Sequence, residues 1–166
     1  QGFEEAGIQY DQELYQTYES WCAENSAEGD SSTFGTMGNG ASQPEMPIDG
    51  LNMDEIAQRN DMAVVIFGRN SSEGGDREAI AGDWYLSAVS NSFDKVLVIL
   101  NTGGMIDTSW IEEYGVNAVL EAWQPGGYGA ISIGKILTGE INPSGSLMDT
   151  WAYDYNSYPT QNVASS

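Results

Sequence analysis

Met62-Ala-Val-Val-Ile-Phe67 is an apolar run with no polar residue alternating through it, and Val96-Leu-Val-Ile-Leu100 repeats the pattern further on. A strand with one wet face alternates apolar and polar residues. A strand covered on both faces does not, and such runs mark a parallel sheet sandwiched between helices. Ala118-Val-Leu-Glu-Ala122 is a weaker third run.

The segments between the runs have helical spacing. Ile106, Trp110 and Tyr114 fall at i, i+4 and i+8, which predicts one helical face. Tyr128 to Leu137 reads as a second, mostly apolar helix, with Gly139 where a C-terminal glycine cap belongs. Upstream, Asn52-Met53-Asp54-Glu55 has the form of an N-cap with Glu at N3, opening a short helix to about Arg59. Leu14, Tyr18, Trp21 and Cys22 form a stripe that predicts a helix over 11–24. Residues 25–50 are rich in Gly, Ser and Pro and read as a long flexible loop. The predicted fold class is therefore α/β: a mostly parallel sheet with helices on both faces, a three-layer α/β/α sandwich. Right-handed crossovers place the loops 68–83, 101–104 and 123–129 along the carboxyl edge, where open sheets of this kind bind ligands.

Length and charge limit the function. The chain has 166 residues, enough for one domain with a real core. Five Lys and Arg stand against 25 Asp and Glu, a net charge of -20 with no histidine. A polyanion is repelled by such a surface, so nucleic acid is not an expected partner. No run is long enough to span a membrane, and no membrane contact is expected from this segment. The start has neither a basic region nor an apolar core, so it does not read as a signal peptide. It also lacks an initiator Met and reads as a piece of something longer. The residues assign no compartment.

Cys22 is the only cysteine, which excludes an internal disulfide and Cys-based zinc clusters. Without histidine, Ser-His and Cys-His nucleophile pairs are excluded too. No metal and no cofactor are expected. The turn Trp123-Gln-Pro-Gly-Gly-Tyr-Gly129 has the glycines of a phosphate-binding turn but neither a P-loop nor a dinucleotide fingerprint.

Carboxylates, Tyr and Lys remain as candidates for acid–base chemistry. The loop Gly68-Arg-Asn-Ser-Ser-Glu-Gly-Gly-Asp-Arg77 is the densest polar segment. Gly74 and Gly75 let the backbone turn sharply and present Glu73. Arg69, Ser72, Asp76 and Arg77 are candidates to bind substrate or to orient the loop. On spacing alone, an Arg–carboxylate network that only ties the loop down is the simpler reading.

Taken together, these segments resemble the α/β sandwich (C-terminal-type) domain of family-three glycoside hydrolases. The matching pieces run in the family's order: Val64–Arg69, Ser72–Arg77, Gly82–Leu86, Val98–Gly103, Ala122–Gly126, Gly139–Gly145 and Thr150-Trp151. Glu5-Ala-Gly-Ile8 and the helix after it are similar to the family's opening crossover. The resemblance implies β-glucosidase or β-xylosidase type activity on a β-linked glycoside or oligosaccharide. It implies that Glu73 is the acid/base, since many members carry that group in a Ser-Gly-Glu-Gly loop; here the loop reads Ser-Ser-Glu-Gly.

The resemblance also implies that the nucleophilic Asp lies on a barrel domain, of which this chain has no counterpart. Asp83-Trp84 belongs to the sandwich and is not that aspartate. The family's first sandwich strand has no match either, so the sheet is expected to be incomplete at its N-terminal edge. On this reading 1–166 is one sandwich domain, catalytically silent in isolation. The alternatives are a non-catalytic sugar-binding or structural α/β domain, and an unrelated nucleotide-binding domain.

Overall fold

The computed structural model describes residues 2–25, 45–69 and 83–159. Its centre is a parallel sheet in the order β1-β2-β3, formed by β1 (Ala63–Arg69), β2 (Val96–Thr102) and β3 (Ala118–Glu121). The helices are α1 (Gly2–Glu5), α2 (Gln12–Asn25), α3 (Met53–Gln58), α4 (Asp83–Ser92), α5 (Trp110–Glu113) and α6 (Gly126–Leu137). The expected parallel α/β architecture is thus present.

The register divides the sheet into two faces. Val65 pairs with Val98, and Phe67 with Leu100. These four pack with Ile56 of α3, Leu86 and Val89 of α4, and Trp110 of α5 in one buried cluster. The opposite face carries Leu97 and Ile99, both buried. Leu97 and Ala118 line a shallow apolar recess with Ile136 and Leu137, which places α6 on that side. β2 is therefore covered on both faces, as its continuous apolar run predicts.

β1 departs from the expectation. Ile66, beside the buried Ile99, is 61% exposed, so β1 is covered on the Val65 and Phe67 face only over this part of its length. An apolar run shows that both faces are compatible with burial; it does not supply the second cover.

Two predicted helices also need correction. The stripe of α2 is correct in phase, but Leu14, Tyr18, Trp21 and Cys22 are only half-buried. The spacing of Ile106, Trp110 and Tyr114 does not belong to one helix. Asp107 Oδ1 accepts hydrogen bonds from the Ser109 amide (2.8 Å) and hydroxyl (2.5 Å), a local turn that competes with helix. Helix begins only at Trp110 and stops before Gly115, whose φ of +63 suits glycine. Ile106 and Trp110 are both buried even so.

The end signals behave as read. Asn52 Oδ1 accepts from the Glu55 amide (3.3 Å), and its amide nitrogen donates to the Glu55 carboxylate (3.1 Å). Gly139 (φ +75) closes α6: its amide bonds Ile136 O, and that of Glu140 bonds Lys135 O. This is the paired arrangement of a Schellman cap. Of the stretch 25–50, residues 26–44 lie outside the described residues. Residues 45–50 are irregular but packed, with Met46 and Ile48 each 5% exposed.

Two contacts fix the outer helices. α1 lies against α6 so closely that a Cβ on Gly134 would collide with the Gly2 carbonyl, and one on Gly2 with the Ala130 carbonyl. Asp11 ties α2 to α3. It caps α2 by accepting from the Glu13 (3.1 Å) and Leu14 (3.0 Å) amides, while Arg59 Nε (2.6 Å) and Asn60 Nδ2 (3.0 Å) donate to its other oxygen.

The Arg59 bond, helped by the Leu14 and Asn60 donors, lowers the Asp11 pKa from 3.8 to about 2 against the cost of burial. A lowered folded-state pKa stabilises the protein above the unfolded value, and that stability is lost as pH falls through the folded one. Chemical denaturation should therefore show a contribution that is complete above about pH 4 and fades toward pH 2. Asp11→Ala should cost about 1–2 kcal/mol at neutral pH. Asp11→Asn should keep part of the cap but lose this pH dependence.

Candidate functional site

The three strands end at the carboxyl edge, β1 and β2 level with each other at Arg69 and Thr102, and β3 at Glu121, which pairs with Leu100. Arg69 is the last residue of β1 and pairs in the ladder with Thr102. The chain continues from this point into residues 70–82, and Ser72, Glu73, Asp76 and Arg77 lie outside the described residues.

The rest of the edge is formed by the ends of β2 and β3 and the residues that follow them. Thr102 is fully buried, and its hydroxyl donates to the Gly104 carbonyl (3.0 Å), which bends the chain after β2. The turn Asn101–Gly104 thus has a specific internal brace. Glu121 Oε2 stands 3.5 Å from the same hydroxyl, and Oε1 accepts from the Trp123 amide (2.8 Å). That bond holds Trp123 at φ +52, in the left-handed region where a bulky side chain costs free energy. The Trp123 ring meets Trp151 edge-on, with centroids 6.4 Å apart.

The segment after Trp151 folds back over the start of α5. Thr108 Oγ1 donates to Ala152 O (3.3 Å), and the Tyr153 hydroxyl donates to Glu112 Oε2 (3.4 Å). Beneath it, Trp110 Nε1 donates to Asp107 O (2.5 Å), fixing the loop between β2 and α5 from inside.

On the β1 side, α4 returns from the edge with Trp84 in its first turn, 48% exposed. Its ring stands edge-on to Tyr85, with centroids 5.5 Å apart. The Tyr85 hydroxyl hydrogen-bonds that of Tyr18, and burial pushes the pKa of both phenols up. A neutral phenol pair thus anchors this end of α4.

An edge with a recessed hydroxyl, a carboxylate and exposed indole surface suits a neutral, hydroxyl-rich ligand better than a polyanion. Sequence reading passed over Thr102, Glu121 and Trp84. The one available signal was a lone carboxylate closing an apolar strand at Glu121. Among the described residues, no three His, Cys, Asp or Glu side chains are grouped to hold a metal ion, and no helix is long and apolar enough to cross a membrane.

Residues 16–166 match the family model of the glycosyl hydrolase family 3 C-terminal domain. The chain belongs to this family. A β-glucosidase of Ruminococcus albus is 32% identical over an alignment covering 96% of this chain and 17% of that protein. β-Glucosidase A of Butyrivibrio fibrisolvens is also 32% identical, over 71% of this chain and 18% of that protein. Among solved structures, β-glucosidase 3B of Thermotoga neapolitana, in complex with glucose, superposes with a TM-score of 0.79 at 29% identity. The match covers 98% of this chain and 24% of that one. A β-glucosidase of Paenibacillus barengoltzii gives a TM-score of 0.74 at 30% identity, over 96% and 18% of the two chains. This family 3 domain thus spans about a fifth of the length of the relatives it matches. It is a domain of a larger protein.

Proposed function

We propose that this family 3 domain serves a retaining β-glycosidase that hydrolyses terminal β-linked sugars. In this reading Glu73 is the acid/base, and the nucleophilic carboxylate belongs to a barrel domain elsewhere in the protein. The observation that carries the proposal is family membership across nearly the whole chain, joined to a parallel sheet whose β1 ends at Arg69, four residues before Glu73 in the sequence. A segment leaving a buried parallel strand starts at the carboxyl edge, where such sheets bind ligands.

The chemistry needs two carboxyl groups about 5–5.5 Å apart across the sugar. Glu73 protonates the departing glycosidic oxygen while the nucleophile attacks the anomeric carbon. Glu73 then takes a proton from water as that water displaces the enzyme carboxylate. Arg69, Ser72, Asp76 and Arg77 orient the loop or hold sugar hydroxyls. The domain supplies one carboxyl group and part of the cleft wall.

The test compares two proteins. The complete enzyme should release the aglycone from an aryl β-glucoside, whereas the 166-residue chain alone should show no turnover. Turnover by the pure chain that survives Glu73→Ala would show that the chemistry is located elsewhere.

A further inference from the structure

We propose that Trp84 is a specificity-determining residue that stacks against the leaving-group sugar of a β-linked disaccharide or oligosaccharide. The inference rests on the β-glycosidase reading above, and its evidence is the placement of this one indole. α4 follows β1 in a parallel β-α-β unit, so its first turn lies at the carboxyl edge of the sheet, and Trp84 is its second residue. The indole is 48% exposed there, although the helix that bears it is firmly seated. Leu86 is fully buried, Val89 is 4% exposed, and Tyr85 backs the indole edge-on while being held in turn by Tyr18.

An exposed but rigidly backed aromatic plate loses little entropy when a ligand covers it. Its flat apolar face suits the C–H face of a pyranose. The net charge of -20 disfavours an anionic ligand and sets no barrier to a neutral sugar.

Cellobiose and methyl β-glucoside make the test in the complete enzyme. Both release an alkyl alcohol and need the same proton, so a failure of the Glu73 assignment moves them together, whereas only cellobiose offers a second ring. Trp84→Ala should raise KM for cellobiose about fivefold to tenfold and leave methyl β-glucoside within about twofold. Trp84→Tyr should recover most of the loss, since it keeps a ring. If Trp84→Ala does not fold, Trp84→Leu makes the same comparison with the volume filled and no flat ring. An equal change for both substrates, or no change for either, would overturn the proposal and leave Trp84 as a domain-packing or plain surface residue.

Discussion

Glu73→Ala in the complete enzyme should lower turnover of substrates with poor leaving groups by about 10² to 10⁴. The size follows from what is removed. An alkoxide is a very poor leaving group at neutral pH, so on the proposed reading cleavage waits on a proton from Glu73. A substrate whose leaving group needs no proton should be affected much less in the first step. Its second step still needs a base to activate water, and added azide should bypass that need and restore part of the rate. A carboxyl group that donates protons at neutral pH must have a raised pKa, which close pairing with Arg69 or Arg77 would oppose. A working acid therefore needs those guanidinium groups turned to Asp76 or to substrate. Steady-state kinetics on an alkyl and an activated aryl glucoside, with and without azide, check the whole set. Equal slowing of both substrates with no azide effect would leave Glu73 as a loop residue.

The largest expected loss of stability comes from Trp110→Ala, at about 3–5 kcal/mol. The indole is 2% exposed and lies edge-on to Phe67, with centroids 6.2 Å apart. Its N–H also braces the Asp107 carbonyl. Truncation opens a cavity in the main core and frees the loop that leads from β2 into α5. Against a typical total of about 5–15 kcal/mol, such a loss approaches unfolding. Trp110→Phe keeps most of the burial and should lose much less. Equilibrium denaturation of both variants separates packing from the hydrogen bond.

How far the fold is legible in the residues depends on the range of the interaction. β2 is legible because burial on both faces leaves no polar residue in Val96–Leu100. The Asn52–Glu55 box and the Gly139 cap are legible because their partners lie within one turn. The spacing of Ile106, Trp110 and Tyr114 reads as one helical face and hides the turn that Asp107 imposes, although Ile106 and Trp110 are both buried. The clasp of Asp11 on Arg59 joins elements far apart in sequence, and neither residue advertises it. The exposure of Ile66 is equally hidden, since an apolar residue does not record what lies over it. At the edge, only the Gly-rich turns are visible beforehand; the Glu121–Trp123 bond depends on β3 ending where it does. The roles assigned to Glu73 and its neighbours come from family resemblance, because spacing alone reads more simply as a structural loop.

The contact of Gly2 with Gly134 has a consequence for the order of assembly. A four-residue helix cannot persist by itself, so α1 takes its form only against α6. On the ribosome the residues of α1 emerge before those of α6 and wait for a partner made after all three strands. The strands and their covering helices can assemble meanwhile, so α1 settles after segments that follow it in the chain.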